Sequence, residues 1–400
     1  MRWPSEAGSG RCPRRSQSAL RGYAAEVGVN EHLAWQPLHE LPVRVVDRAR
    51  ELAGGGLSGL YLTDVEGECL LRLAGDHPLP QRLPAGDAVG PELDRFAVEA
   101  IRASLRERWP DATVAPLWVL GRALGILVTT RPAAESVTAL AEAVAPIFEL
   151  AGGFTDVIER GRRRKQPSAA AEIQLELLPP RIARVAGGRI VASVLPAYDV
   201  GGDWFDHADN AEGVWVAIGD AMGKGIRAAA ISAVSIGALR SARRAGADPR
   251  ECAREMHGAV RDLRSGGFVT ALIGFWDQRQ SVFTWTNCGH LRPLLTRDGT
   301  TRELVADFTY PLGVVERERT FPTARINVRS GDRLLLYSDG IVEARLLDGT
   351  RFGLERLQRT LAASAAVAPP AAVARIEREV LSATGGEIRD DATQLLLAID

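Results

Sequence analysis

The five apolar residues Val214-Trp215-Val216-Ala217-Ile218, hemmed in by turn formers on both sides, predict a short buried β-strand. Gly201-Gly202-Asp203-Trp204-Phe205-Asp206 precedes the run, and Gly219-Asp220-Ala221-Met222-Gly223-Lys224-Gly225 follows it. Each flank sets a carboxylate beside glycines, which turn the backbone sharply and let it come close to a bound group. Read locally, these are two Asp-bearing turns joined by a strand, and such a unit can aim Asp203 and Asp220 at one point. Carboxylate oxygens suit a hard cation such as Mg²⁺ or Mn²⁺. Asp and Gly are equally the ordinary residues of surface turns, so this stretch by itself leaves both readings open.

The rest of the C-terminal half narrows the choice. Residues 189–195 read as a β-rich run leading towards Asp203. Residues 268–276 and 281–286 predict a hairpin ended by Asn287-Cys288-Gly289-His290, and 293–296 begins another, turned at Asp298-Gly299. The run 333–338 is a buried type of strand, with Asp339-Gly340 directly off its end. Arg389-Asp390-Asp391-Ala392-Thr393 leads into a last strand, 394–399. A helix after Gly225 would turn Ile226, Ala229, Ala230, Ala233, Ile236, Gly237 and Ala238 to a sheet, and Arg240, Arg243 and Arg244 suit the negative end of its dipole. Two more helices are predicted over 353–363 and 371–381. Asp203, Asp220, Asp339 and Asp390 thus each stand at a strand edge beside Gly or another Asp. If those edges converge, the carboxylates raise one another's pKa unless positive charge compensates. Two divalent cations would supply it, and a pair about 3.5–4 Å apart can activate water and neutralise a phosphoryl oxygen. No Ser-His-Asp or Cys-His order offers a rival nucleophile, and His290 reads as a structural histidine.

The ordered motifs "GGDWFD … GDAMGKG … NCGH … YSDGIVEA … RDDAT" resemble the PPM family of metal-dependent protein serine/threonine phosphatases, also called protein phosphatase 2C-like, in its bacterial SpoIIE-like branch. The resemblance covers 181–400, and the Leu177-Leu178-Pro179 approach shares it. It implies an α+β fold: two antiparallel β-sheets packed face to face with helices outside. It implies metal ligation by Asp203, Asp220, the backbone carbonyl of Ala221, Asp339 and Asp390. Asp220 would bridge two Mn²⁺ or Mg²⁺ ions, with Asp220 and Asp339 central to catalysis. The implied reaction is in-line hydrolysis of phosphoserine or phosphothreonine by an activated water, without a phosphoenzyme. The implied substrate is a phosphorylated regulatory protein, an anti-sigma factor antagonist. Asp391 and Lys224 belong to the motifs but receive no direct role, and no arginine matches the phosphate-binding one of larger eukaryotic relatives. Two rival readings share the fold or the centre: a catalytically weak partner-switching scaffold, and a phosphatase of small phosphorylated molecules. Four intact aspartates argue against the scaffold, which has no need to hold so much negative charge together.

Upstream, residues 1–27 are rich in Ser, Gly, Arg and Pro without periodicity and read as a disordered leader. From 28 to 158 the predicted order is helix (43–52), strand pair (57–63, 69–73), helix (93–106), strand pair (113–120, 123–129) and one long helix (135–158), with 78–91 loop-like. That order resembles a GAF domain, a smaller α/β module that senses ligands or signals. Residues 159–180 follow as a linker. Its basic run, Glu159-Arg160-Gly161-Arg162-Arg163-Arg164-Lys165, reads as a solvated face. Its short helix, 172–178, is ended by Pro179-Pro180. The helix's leucines need cover, either from the catalytic region or from a second copy, so a homodimer through the GAF-like domain and linker is an expected partner. A net charge of −1 offers no field for nucleic acid or an acidic membrane. No stretch approaches the ~20 apolar residues of a spanning helix. The four cysteines lack CxxC spacing, and no apolar leader follows Met1-Arg2-Trp3-Pro4. A cytoplasmic protein without an organic cofactor is expected.

Overall fold

The structure, a computed structural model, describes residues 37–196, 198, 202–264, 266–314, 320–386, 388 and 390–400. The expected leader lies outside these residues, as do Gly201 and Arg389 of the acidic motifs.

The N-terminal body runs α1 (Leu41–Leu52), β1 (Ser58–Thr63), β2 (Cys69–Gly75), β3 (Arg82–Pro84), α2 (Arg95–Arg108), β4 (Thr113–Val119), β5 (Arg122–Thr129), α3 (Ala134–Ala151) and α4 (Asp156–Gly161). Its strands form one antiparallel sheet, ordered β3-β2-β1-β5-β4. Alternation along β1 sends Leu60 and Leu62 to the cluster with α1 and α3, and Tyr61 to the cluster with α2. Two expectations need correction. β3 lies within the stretch expected to be loop, because three residues are too few to show a period. The single helix expected over 135–158 is two helices. Gly152 and Gly153 weaken the helix between them, and Thr155 caps α4 by accepting from Val157 N at 3.4 Å.

The linker is not a solvated face. Arg164 donates to Asp64 (2.6 Å), Glu68 (2.6 Å) and Glu66, while Arg162 donates to the carbonyls of Thr63 (3.3 Å) and Pro91 (2.8 Å). The acidic β1–β2 turn supplies these partners, which charge density alone does not reveal. Helix α5 (Ala169–Leu177) follows, capped by Ser168 accepting from Ala171 N at 3.2 Å.

The C-terminal body contains β6 (Ile182–Val185), β7 (Gly188–Leu195), β8 (Asp203–Asn210), β9 (Gly213–Ala221), α6 (Ile226–Arg244), α7 (Pro249–Asp262), β10 (Val269–Asp277), β11 (Val282–Cys288), β12 (Leu294–Arg297), β13 (Thr300–Glu303), β14 (Thr323–Asn327), β15 (Arg333–Tyr337), α8 (Asp339–Val342), α9 (Leu354–Ala363), α10 (Pro369–Thr384) and β16 (Ala392–Ile399). Two antiparallel sheets result, β14-β11-β10-β9-β8 and β13-β12-β15-β16-β7-β6. Val214, Val216 and Ile218 face Leu334, Leu336, Leu395 and Leu397 in the central core. The alternate residues Trp215 and Ala217 pack under α6 and α7, and Leu335 and Leu396 under α9 and α10. The layers are therefore α-β-β-α.

Helix α6 buries Ala229 and Ile236 as expected, but its buried face is rotated from the expected one. Ala228, Ala229, Ile231, Ser232, Ser235, Ile236 and Leu239 are buried, whereas Ile226, Ala230 and Gly237 are exposed. Small residues ring the whole helix, and its buried serines find acceptors in the carbonyls of Gly202 (2.7 Å) and Ile231 (2.8 Å), so polarity does not mark the solvent side. Among the described residues no helix is long and apolar enough to cross a membrane.

Candidate active site

Asp203 and Asp220 do not sit in turns. Asp203 opens β8, Asp220 stands one residue from the end of β9, and the hairpin register pairs them directly across. Strand pairing, not loop geometry, sets these two carboxylates side by side. Ala221 N donates to Gly202 O at 3.1 Å, and a Cβ on Gly202 would stand 2.0 Å from the Ala221 oxygen. Only glycine permits this approach. The other two motifs also meet through a glycine. Asp339 opens the short helix α8 just after β15, and a Cβ on Gly340 would lie 1.9 Å from the Asp391 carbonyl. The four motifs therefore touch in two pairs through backbone.

A third contact ties the pairs together. Asp391, only 6% exposed, accepts from Asp203 N at 3.2 Å through Oδ2. The Ser338 hydroxyl donates to the Asp391 carbonyl (3.2 Å) and accepts from Thr393 N (2.9 Å). Asp391, given no role from sequence, is thus a brace for Asp203. Adjacent aspartates carry no local signal of which turns inward.

The electrostatics are those of crowded carboxylates. Asp203 is 2% exposed, and its Oδ2 has no hydrogen-bond partner. Burial first, then Asp220 and Asp391, hold its carboxyl well above the usual range, against the Ser338 and Thr393 hydroxyls. Asp220 is pushed up to about 6 by burial, then by Asp339 and Asp390, with Lys224 opposing. Asp339 is raised by partial desolvation, then by Asp390 and Glu343. Lys224 Nζ lies 3.0 Å from Asp390 Oδ1 at the exposed rim. Among the described residues no three His, Cys, Asp or Glu side chains stand close enough to hold an ion. Asp203 and Asp391 occupy the buried end, Asp339 and Asp390 the rim, and Asp220 feels the rim pair as well as Asp203. The donor chemistry fits a divalent cation: all oxygen, excess negative charge, and a buried carboxylate oxygen with no partner.

Helix α5 reaches this centre. Gln174, buried, donates from Nε2 to the Asp203 carbonyl at 2.5 Å. Arg240 donates to the Leu177 carbonyl (2.7 Å) and to Asp206 (2.8 Å), and Arg243 to Asp206 (2.7 Å). Arg240 and Arg243 were expected to answer a helix dipole; a carboxylate 1% exposed binds them instead. The one sequence sign of Gln174 is an amide set among the apolar residues of 173–178. His290 behaves as a structural residue. Its Nδ1 lies 2.9 Å from Thr270 Oγ1 and its Nε2 3.2 Å from the Tyr337 carbonyl, and burial lowers its pKa to about 4.

Known proteins resemble this chain at the same place. The SiaA-PP2C domain of Pseudomonas aeruginosa is similar over 58% of this chain and 94% of its own, with a TM-score of 0.51 and 21% identity. The packed sheets are therefore a PP2C-type fold. Phosphoserine phosphatase RsbU of Bacillus subtilis (strain 168) is 25% identical over 233 residues, 57% of this chain and 68% of that protein. Residues 210–400 match the family model of Stage II sporulation protein E (SpoIIE). Over the matched residues the C-terminal body is thus similar to SpoIIE-type phosphatase domains. Asp220, Asp339 and Asp390 fall inside the matched residues, and Asp203 lies just before them.

Proposed function

We propose that the chain hydrolyses phosphoserine or phosphothreonine on a partner protein, with divalent cations at its acidic edge and control from its N-terminal body. The observation that carries this is the unpartnered, buried Oδ2 of Asp203, set opposite Asp220 within a group of like charges. Repulsion of that kind costs stability, and a cation site is what it serves. Asp203, Asp220, Asp339, Asp390 and the Ala221 carbonyl would hold two ions, Mn²⁺ or Mg²⁺. When bound, such ions lower the pKa of water and offset charge on a phosphoryl group. The chain's own part is positional. Asp391 and Gln174 fix the Asp203 backbone, Ser232 fixes Gly202, and Gly340 lets α8 sit against the Asp390-Asp391 turn. Water adds to phosphorus as the seryl or threonyl oxygen leaves, and one proton passes from the water to that oxygen.

The substrate we favour is a small phosphorylated regulator of the anti-sigma factor antagonist kind, in the cytoplasm. We divide the chain into a GAF-like regulatory domain (28–158), a linker (159–180) and the phosphatase domain (181–400). Control would run through α5. Leu177 and Leu178 pack on the cluster containing Trp204, Ile231 and Ile236, while Leu175 packs with Val65 and Tyr198. A helix held from both sides, with Gln174 on the Asp203 carbonyl, couples the two bodies. Self-association through the N-terminal body belongs to the same reading, since Leu150 and Phe154 are exposed there. Phosphate release from phosphoserine and phosphothreonine peptides, with Mn²⁺ or Mg²⁺ and with chelator, is the test. Undiminished release in excess chelator contradicts the metal half; release from small phosphate esters alone contradicts the protein half.

A further inference from the structure

A cavity of about 300 Å³ lies between the N-terminal body and the linker. Leu62, Phe148 and Leu175 line it on the apolar side, and Arg122, Arg162, Arg163 and Arg181 on the polar side. Glu92, Glu149, Glu159 and the solvent-exposed Glu176 line it too, so the charges must be matched one by one. Arg122 is held by Glu149 (2.5 Å) and Glu92 (3.4 Å). Arg162 donates to two carbonyls and has Glu159 at 3.6 Å. Arg163 meets Glu172 at 2.7 Å and Glu159 at 3.9 Å, but its Nε is buried with no partner. Glu92 is further engaged by the N–H groups of Arg181 (3.1 Å) and Ile182 (2.7 Å).

Arg181 is left over. It is 4% exposed and its Nη1 has no hydrogen-bond partner. Among the described residues its guanidinium makes no ion pair; Glu92 and Glu377 act on it only at longer range, and Arg162 opposes it. Its other support is the Phe205 ring, 5.7 Å away. A buried cation in this state calls for an anion with acceptor oxygens. We propose that the cavity binds a small oxyanion, the carboxylate or phosphate group of a low-molecular-weight effector, on Arg181 and Arg163. The volume stands at the lower end for ligand pockets, which suits a compact molecule. Leu175, Leu178, Pro179 and Pro180 of the lining belong to the linker and Arg181 opens the C-terminal domain, so an occupant is gripped by both bodies. Through Gln174 it also bears on the Asp203 carbonyl. That last consequence rests on the proposed function; the binding itself does not.

The test uses metal-free full-length chain, melted in sodium phosphate or sodium acetate against sodium chloride at equal ionic strength. A saturable rise in Tm with either oxyanion over chloride is expected, and the stronger of the two names the head group. Arg181→Met should abolish the rise while keeping or raising the ligand-free Tm, since an apolar side chain replaces an unpaired buried charge. Arg163→Gln should weaken binding about tenfold, the scale of one charge-assisted hydrogen bond. It carries the test if Arg181→Met fails to fold. No saturable shift over chloride, or an equal shift in wild type and in the folded variants, overturns the proposal. Because no substrate or metal is present, failure of the phosphatase reading would leave this result standing.

Discussion

The acidic edge of the sandwich and the arginine-lined junction both bury an ionic side chain with an orphaned atom, but their surroundings differ. Asp203 is surrounded by like charge, from Asp220 and Asp391, whereas Arg181 lies within range of the opposite charges of Glu92 and Glu377. Repulsion accumulates at the first and is partly relieved at the second. The first therefore calls for multivalent counter-charge, the second for a single anion. Their construction differs in the same sense. Two β-strands and two glycine contacts hold the acidic edge, while separate strands, helices and a linker from two bodies meet at the junction. A centre for chemistry needs fixed geometry, and a site for regulation needs parts that can separate.

Asp339→Asn gives the largest expected effect. It keeps the side-chain shape and removes one charge from the rim. Rate and Mn²⁺ affinity should fall about 10²-fold or more, the scale of pre-set electrostatics. The metal-free protein should melt at the same temperature or higher, because one repulsion is gone. A Mn²⁺ titration of activity beside a thermal melt checks both. If the variant titrates like wild type, the acidic edge is no more a cation site than the junction is.

Much of this contrast was legible in the sequence, though unevenly. The continuous apolar runs around Val216 and Leu335 announce buried strands, and Asp339-Gly340 after an apolar strand marks one corner of the site. That Asp203 and Asp220 converge was readable, but their cross-strand register was hidden because Gly201-Gly202 reads as a turn, whereas Asp203 already belongs to β8. Register is a property of two strands together, and no single stretch encodes it. Helix α7 went unread although its capping box, Asp248 with Glu251, stands in the sequence. The junction was invisible for a different reason. Asp64 and Arg164 are 100 residues apart in sequence, so the linker's arginines look solvated until the fold supplies partners.

Leu177→Asp tests the connection between the two regions. Leu177 packs on the apolar cluster under α6 and α7, and its carbonyl is held by Arg240. A charge there should shift α5 and change the phosphatase rate more than tenfold, about 1.4 kcal/mol in the barrier, in either direction, with circular dichroism unchanged. An unaltered rate in the folded variant removes the linker from control. His290 supplies a third kind of group, half-buried and with both ring nitrogens partnered. Its pKa of about 4 lies below the unfolded value, so its contribution is complete above pH 6.5 and is lost as pH falls from 6.5 towards 4. The loss could reach about 3 kcal/mol. His290→Asn should be less stable at pH 7 yet lose less on acidification over that window, as measured by urea unfolding. Parallel slopes in the two proteins would contradict this account.

The smallest effects are expected at two Asp-Gly pairs that match Asp339-Gly340 letter for letter. Asp298 stands at a hairpin tip with φ 49° and pairs with Arg329 on the surface. Asn adopts that left-handed conformation at least as readily, and an exposed ion pair contributes little. Asp348 accepts from Thr350 N at 2.9 Å and from its hydroxyl at 2.6 Å, contacts that an Asn oxygen can keep in part. Neither side chain is among those that raise the pKa of Asp203, Asp220 or Asp339. Asp298→Asn and Asp348→Asn should therefore leave the rate within about twofold, as surface changes usually do. If either loses as much as Asp339→Asn, the effect of removing a carboxylate is general to the chain and not a property of the acidic edge. If both stay near wild type while Asp339→Asn collapses, then identical dipeptides differ only in what surrounds them. Asp339 has Asp390 and Glu343 within its field, and that crowding is what separates a candidate site from a turn.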